Sequence, residues 1–208
     1  MASVDVALPA SESVPAPAAE RGLVEECRRG DPNAFSRLVA IHEGLVYNLA
    51  ARLLGDREEA KDVSQDVFLQ IYRMLPRFEG RSSLKTWIYR IVVNQCRNRQ
   101  RWWRRRQRDK ALPLEEMTAN ESARLATPSR ECPEEQVARR EESGRVQKAL
   151  LKLSLDHRAV LLLREVEELS GAEIAEALGV AEGTVKSRLA RAREALRLAL
   201  LASEGNAS

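Results

Sequence analysis

The sequence predicts an all-α protein of two small helical domains joined by a flexible linker. Apolar residues recur at steps of three and four along most of the chain, no stretch alternates as strands do, and periodicity disappears in one long polar segment. A length of 208 residues, 44% apolar and 31% charged, suits two small cores better than one large core. We expect helical domains at 22–107 and 137–200, the linker at 108–136, and disordered tails at 1–21 and 201–208.

Composition predicts a cytosolic protein. Cys27, Cys96 and Cys132 are odd in number and widely spaced, which favours reduced thiols over disulfides or a zinc site. No stretch approaches the roughly eighteen consecutive apolar residues of a membrane span, and the first residues lack the basic start of a secretory signal. The net charge of +3 favours an anionic partner only weakly, so its distribution matters more. We expect no membrane insertion, no metal and no cofactor.

The first domain begins with two helices that carry clear end signals. Asp31 and Pro32 fit an N-cap followed by proline at the first helical position, and Gly55 fits a C-cap. Asp56 with Glu59 resembles a capping box at the start of the second helix. The predicted inward positions are Phe35, Leu38, Val39, His42, Leu45, Val46, Leu49 and Leu53 in the first helix, and Ala60, Val63, Val67, Phe68, Ile71, Tyr72 and Leu75 in the second.

A third helix starts after the loop RFEGRSS, capped by Ser82 or Ser83, and continues into a strongly basic run. The run CRNRQRWWRRRQRDK interleaves arginines with Trp102 and Trp103, which suits phosphate neutralisation and base stacking. For the arginines, phosphate contact is favoured over a solvated helix end. For the tryptophans, stacking on bases and covering the core edge stay open alternatives. The apolar side of this helix is Leu84, Trp87, Ile88, Ile91 and Val92.

The second domain contains a helix-turn-helix from Leu169 to Leu196. Ser170 fits the cap of a short first helix, Gly179 supplies the turn, and a second helix starts near Glu182. The helices before it, with Leu150, Leu153, Val160, Leu161, Leu163 and Val166, cover this motif. The inward positions of the motif are Ile174, Ala175 and Leu178, then Val185, Leu189, Ala192 and Leu196, while Lys186, Ser187, Ala190 and Arg191 form another face that is free to meet DNA.

Catalysis is not favoured by any pattern in the chain. There is no P-loop, no G-x-S-x-G and no H-E-x-x-H, and the two histidines lie far apart in sequence. The acidic pairs, such as Glu25 with Glu26, lie in polar contexts where solvated charges are favoured over acid–base work. We expect a binding protein rather than an enzyme.

Three segments in order resemble the extracytoplasmic-function (ECF) RNA polymerase sigma factors, of the sigma-E kind. They are DREEAKDVSQDVFLQIYR, RFEGRSSLKTWIYRIVVNQCRNR and GTVKSRLARARE. The resemblance covers nearly all of residues 22–200. It implies sigma region 2 in the first domain, sigma region 4 in the second, and a bacterial initiation factor that joins core RNA polymerase, recognises promoter DNA and supports its melting. It also implies an anti-sigma protein as a partner.

The resemblance further assigns roles to residues by motif. It implies core-polymerase contacts on the second helix, where carboxylates suit a basic partner, and capture of an unstacked base of the upstream melted element by the loop and third helix. It implies major-groove reading of the farther element by the last helix, where Ala190 departs from relatives with a larger side chain. The polymerase set is Asp62, Gln65, Asp66 and Leu69; the melted-strand set is Phe78, Arg81, Ser82, Ser83, Arg90, Asn94 and Arg97; the major-groove set is Thr184, Lys186, Ser187, Arg188, Ala190 and Arg191.

Two alternatives compete with this interpretation. The helix-turn-helix segment fits a plain helical hairpin less well, because two further motifs agree with DNA binding. A helix-turn-helix operator-binding regulator that acts without polymerase would leave the Asp62 face and the segment 78–97 unexplained. The linker length agrees with two separated DNA sites, since roughly thirty residues can span on the order of 100 Å, while elements two helical turns apart lie about 70 Å from each other.

Overall fold

The computed structural model of the protein describes residues 18–109 and 133–204. Within these ranges the chain forms α-helices and no strand, which confirms the predicted all-α class. A 3₁₀ turn, Leu75–Arg77, follows α3, and a π-helical turn, Leu162–Val166, follows α6. The helices are α1 (Ala18–Arg28), α2 (Pro32–Leu54), α3 (Arg57–Met74) and α4 (Leu84–Asp109), which we call the N-terminal bundle, and α5 (Pro133–Leu151), α6 (Leu155–Leu161), α7 (Gly171–Leu178) and α8 (Glu182–Glu204), the C-terminal bundle.

The predicted helix ends are largely present. The Asp31 side chain accepts a hydrogen bond from the Asn33 amide at 2.8 Å, and Gly55 closes α2 in the left-handed region at φ 76°. Asp56 accepts from the backbone amides of the first turn of α3. The Glu59 carboxylate, predicted as the return arm of a capping box, contacts Arg99 of α4 at 3.1 Å and so links two helices.

Four helix boundaries differ from the predicted domain edges, one of them the end of α4 at Asp109, past residue 107. Helix α1 begins at Ala18, ahead of residue 22, because alanine has the highest helix propensity. Helix α5 begins at Pro133, inside the predicted linker, because proline fits the first turn of a helix. Helix α8 continues to Glu204, past residue 200. The tail 1–17, the linker segment 110–132 with Cys132, and residues 205–208 lie outside the described residues.

The core of the N-terminal bundle lies between α2, α3 and α4. Leu38, Leu49, Ile71 and Ile88 are fully buried there. Tyr72, predicted as inward, is 63% exposed, because it follows Ile71 by 100° around the helix and its ring lies edge-on to Phe35 at 5.1 Å. The prediction for Tyr72 was therefore wrong, although most of the predicted apolar face is buried.

The C-terminal bundle has buried residues in each of its helices. Ala159, Ile174, Val185 and Ala192 have no exposed surface, so the helices of the helix-turn-helix approach closely. Val166, predicted as a covering residue, is 43% exposed because it ends the π-helical turn, where the helical period is broken. No helix within the described ranges is long and apolar enough to cross a membrane.

The two bundles pack on each other, which the sequence analysis did not predict. Their buried apolar residues form one continuous cluster. Helix α7 packs against α4, and both α5 and α6 contact α2. A Cβ atom on Gly55 would lie 2.5 Å from a methyl carbon of Leu151, so a larger residue here would displace the Leu151 side chain as well as strain the backbone. The Gln147 amide donates to the Arg52 carbonyl at 3.1 Å.

Arg158 of α6 is the buried polar centre of this junction. The residue is 4% exposed, and burial lowers the pKa of its guanidinium to about 10. The side chain donates to carbonyls at the end of α2, at the end of α5 and in the turn that follows α5. These carbonyls belong to Leu53, Leu150, Leu151 and Leu153. One arginine thus caps two helices from different bundles and joins them.

Candidate nucleic-acid and polymerase interfaces

The predicted polymerase set lies on the outer face of α3. Asp62, Gln65, Asp66 and Leu69 are all exposed, because the opposite positions of the helix are buried in the core. The Asp62 carboxylate is 3.5 Å from Arg99 of α4, which orients it. Apolar side chains continue this face toward the end of the helix, where Leu69, Tyr72 and Met74 are exposed. An acidic and apolar surface of this kind suits a basic protein partner.

The loop before α4 brings part of the melted-strand set together. Phe78 packs on Trp87 with ring centroids 5.0 Å apart and an angle of 44° between the ring planes. Gly80 has φ 69°, which permits the sharp bend of the loop. Arg81 is exposed and pairs with Glu79 at 2.6 Å. The loop therefore presents an aromatic pair with a cation close by in sequence.

Ser83, of the two serines predicted as caps, begins α4. Its hydroxyl accepts from the Thr86 amide at 3.0 Å and lies 2.8 Å from the Thr86 hydroxyl, while the neighbouring Ser82 is half-buried. Ser83 consequently has a structural role in addition to the predicted strand contact. Trp87, predicted as core, is half-buried and joins that core to Phe78.

The remaining melted-strand residues lie along α4 in two different environments. Arg90 and Asn94 are exposed. Arg97, three residues further, is bound by Asp156 of α6, with both Nε and Nη2 at 2.9 Å from the same carboxylate oxygen. The Arg97 side chain is 18% exposed. The structure therefore brings Arg90 and Asn94 to the surface but turns Arg97 toward the C-terminal bundle.

The sequence analysis missed Tyr89 and its partner Glu167. The Tyr89 hydroxyl donates to the Glu167 carboxylate across the bundle junction, and the tyrosine is completely buried. Burial, reinforced by this hydrogen bond, raises the pKa of Tyr89 far above its usual value. A signal was present, because Tyr89, Val93 and Cys96 form a second apolar stripe beside the predicted one. A helix that is apolar on two sides is packed on two sides.

The basic end of α4 separates the roles of the two tryptophans. Burial raises the pKa of the Glu59 carboxyl, against the opposing effects of Arg99 and then of the half-buried Trp103 beside it. Trp102 is 41% exposed, and the Arg106 guanidinium lies 4.7 Å from its ring. The two roles considered for the tryptophans therefore belong to different residues: Trp103 covers the core edge, whereas Trp102 has a face that is available for stacking. The exposed arginines around it are Arg101, Arg104, Arg105 and Arg106.

The helix-turn-helix is built as predicted. Ser170 and Glu173 form a complete capping box at the start of α7, and Gly179 ends α7 in the left-handed region at φ 67°. The Val180 amide then donates to the Ala175 carbonyl at 2.9 Å, which fixes the turn into α8.

The major-groove set is mostly exposed on α8. Lys186, Ser187, Ala190 and Arg191 are exposed on one side, while Val185 and Ala192 are buried on the other. Thr184 and Arg188 are half-buried beside this face. Arg193 points elsewhere and pairs with Glu165 at 2.7 Å. Lysine and arginine on one helix face next to a small residue are the groups that contact phosphates and base edges in a major groove.

Metal coordination has no support in the part of the chain that the structure describes. No group of three or more His, Cys, Asp and Glu side chains converges there on a point that would hold an ion.

Comparison with known proteins assigns both bundles to families. The sigma-70 region 2 family matches residues 38–109, and the sigma-70 region 4 family matches residues 143–196. The RNA polymerase sigma-H factor of Pseudomonas aeruginosa is 38% identical over 181 residues, which are 87% of this chain and 93% of that protein. The ECF RNA polymerase sigma factor SigW of Bacillus subtilis is 34% identical over 177 residues, 84% of this chain and 92% of that protein.

Two solved structures have the same architecture. The sigma factor RpoE from Bartonella quintana, in complex with the anti-sigma factor NepR, has a TM-score of 0.62 at 25% identity and covers 80% of this chain and 96% of its own. CnrH, in complex with the cytosolic domain of CnrY, has a TM-score of 0.61 at 28% identity and covers 89% of this chain and 99% of its own. The chain belongs to the ECF RNA polymerase sigma factors, which are transcription initiation factors of the sigma-70 family.

Proposed function

We propose that this protein is a cytoplasmic alternative sigma factor that acts by binding alone, without catalysis of its own. The N-terminal bundle, with domain limits near 22–107, binds core RNA polymerase and a melted promoter strand. The C-terminal bundle, near 137–200, reads a farther promoter element. The observation that carries this proposal is the presence on one chain of three surfaces with different chemistry, one each on α3, α4 and α8.

The outer face of α3 is proposed to bind core polymerase. Asp66 is exposed and lies between Gln65 and Leu69, so its carboxylate can pair with a basic partner group while the leucine is buried by the same contact. The pairing of Asp62 with Arg99 ties this surface to α4. Polymerase binding on α3 and strand binding on α4 therefore take place on adjacent, connected helices.

The loop 78–83 and α4 are proposed to hold one or two unstacked bases. Separating stacked base pairs costs about 1.4 kcal/mol per step, so a bubble on the order of ten pairs needs well over 10 kcal/mol. Stacking one base on an aromatic ring returns roughly 1–3 kcal/mol. Capture at Phe78 can start melting but cannot complete it, so the polymerase must supply the remaining contacts.

An anti-sigma protein is proposed as the regulatory partner. In both solved structures described above, the matched chain is bound by a second protein, which is an anti-sigma factor in the Bartonella case. The apolar residues Leu69 and Tyr72 on α3 and Leu198 and Leu201 on α8 stay exposed in the free chain. Exposed apolar groups of this size are typical of surfaces that a partner covers.

Run-off transcription with purified core polymerase tests the proposed function. The protein should direct initiation at a specific start on promoter DNA, whereas an operator-binding regulator would only block transcription. Asp66→Lys should abolish assembly with core polymerase in gel filtration, because it reverses the charge of the contact face. Glu43→Lys, an equal charge reversal on the exposed side of α2, is the matched control and should assemble normally. Specific initiation by the Asp66→Lys protein would refute the α3 assignment.

A further inference from the structure

The side of α4 next to its exposed strand-binding residues is covered by the C-terminal bundle. Tyr89, Val93 and Arg97 follow one another at four-residue steps and therefore share this side of the helix. Tyr89 and Val93 are fully buried, and Arg97 keeps little exposure. Arg90 and Asn94 lie beside this side and stay exposed. The covered side thus borders the proposed strand site and includes one of its residues.

The contacts across this junction are partly polar. Arg97 is held by Asp156 of α6, and Tyr89 donates to Glu167, which follows the π-helical turn. Asp156 keeps 46% of its side-chain exposure, so water and salt reach the Arg97 pair. Such a pair is worth at most about 1 kcal/mol, which makes it a contact that a partner or a nucleic acid can replace.

The cations of α4 show what the covered site would bind. In the closed arrangement Arg97 neutralises Asp156 and cannot neutralise a phosphate, while Arg101, Arg104 and Arg105 remain exposed further along the same helix. A single strand that follows α4 from Phe78 toward these arginines would pass Arg97. The acidic side chain of Asp156 therefore occupies the place of a phosphate group.

We propose that the packing of α6 and α7 on α4 is a closed state, in which the C-terminal bundle competes with single-stranded DNA for Arg97. Asp156 and Glu167 add polar contacts to those of the buried Arg158 and the shared apolar cluster in this closed state, and separation of the bundles releases the strand site. This inference rests on the proposed function for the identity of the strand. It agrees with geometry, since a compact chain of this length has a radius of gyration of about 17 Å and is too small to reach two elements about 70 Å apart.

The test measures closure and strand binding on the same full-length proteins. Asp156→Asn with Glu167→Gln removes both junction carboxylates. The matched control, Glu165→Gln with Glu194→Gln, removes two carboxylates of equal charge whose partners, Arg193 and Arg197, lie within the C-terminal bundle. Small-angle X-ray scattering gives the radius of gyration, and fluorescence anisotropy with a labelled single-stranded oligonucleotide at fixed salt gives the affinity.

The junction variant should have a larger radius of gyration and bind the oligonucleotide about five-fold more tightly than the control, because the fraction of open molecules rises. Adding Arg97→Ala to the junction variant should remove the gain. Equal values for junction variant and control would overturn the proposal, and so would a gain that survives Arg97→Ala.

Exchanging the charges of Asp156 and Arg97 distinguishes opening of the junction from simple unfolding of a variant. Asp156→Arg should expand the protein, and the combination of Asp156→Arg with Arg97→Asp should restore the compact radius. An expanded double swap would overturn the assigned pair. Run-off transcription by the unsubstituted protein stays an independent measurement, so failure of the closed-state proposal and failure of the sigma function can be told apart.

Discussion

The two proposed DNA surfaces differ in their readiness to bind. The surface on α8 is open: Lys186, Ser187 and Arg191 are exposed to solvent. The surface on α4 is partly occupied, because Arg97 is paired with Asp156 and the adjacent side of the helix is buried. The α8 surface can therefore meet a duplex without rearrangement, whereas full use of the α4 surface requires the release of Arg97 from Asp156.

The largest expected effect tests whether the junction depends on Arg158. Arg158→Met removes the side-chain donor of three carbonyls, those of Leu53, Leu151 and Leu153, at about 1 kcal/mol each, so the free energy of unfolding should fall by about 3 kcal/mol. Urea denaturation measures it. The control Arg193→Met removes an exposed arginine from its pair with Glu165 and should leave the midpoint nearly unchanged. Equal midpoints for the two variants would show that Arg158 does not join the bundles.

The second effect tests the openness of the α8 surface. Arg191→Ala should weaken promoter binding by the polymerase holoenzyme by roughly 1–3 kcal/mol, the value of a good bidentate base contact. Arg197→Ala on the same helix is the control, since Arg197 pairs with Glu194 and lies outside the predicted set. A filter-binding comparison at one salt concentration suffices. An equal loss of affinity in both variants would show that Arg191 contributes only its positive charge and makes no specific base contact.

The third effect concerns the turn that carries Glu167 and leads into the helix-turn-helix. Glu168 has φ 57°, a left-handed conformation that costs a residue with a side chain roughly 1–2 kcal/mol. Glu168→Gly relieves this strain, but glycine also has more conformational freedom in the unfolded chain, which offsets part of the gain. The net stabilisation in urea denaturation should be about 0.5–1 kcal/mol. Glu176→Gly inside α7 should destabilise by about 1 kcal/mol. Destabilisation by both glycines would contradict the strain at Glu168.

The smallest expected effect concerns pH and the N-terminal bundle. Burial, and then the nearby Lys85, lower the pKa of His42 below its usual 6.5. Below that pH the unfolded chain binds the proton more readily than the folded chain, so this histidine makes stability fall as the pH falls. His42→Gln should flatten the stability profile below pH 6.5 in thermal unfolding scans. An unchanged slope would show that other groups cause the acid sensitivity.

Most of the fold followed from local signals, and the junction did not. Asp31, Gly55, Ser170 and Gly179 act at helix ends, where sequence neighbours fix the geometry, and each occupies its predicted place. Apolar periodicity likewise predicted the faces of α3 and α8. The pairing of Arg97 with Asp156 joins residues far apart in sequence, and periodicity carries no information on which surfaces of two bundles meet.

In the functional sites, too, local patterns predicted some features, whereas contacts between the bundles could not be predicted. The exposed face of α8 could be predicted because a buried stripe at helical steps defines its opposite side. Arg90, Asn94 and Arg97 could be placed on one helix, but their different exposure depends on the second bundle. Tyr72 was assigned inward from an apolar pattern alone, although a residue at the edge of that pattern packs only at one side of its ring.

Chemical labelling of Cys96 can report how often the two bundles separate. The thiol is fully buried next to Arg158, and burial raises its pKa to about 12, so a cysteine reagent meets almost no thiolate in the closed protein. Cys27, on α1, is only half-buried and serves as an internal reference within the same molecule. The rate at which a thiol reagent labels Cys96 relative to Cys27 thus measures how often the native chain opens, with no engineered cysteine.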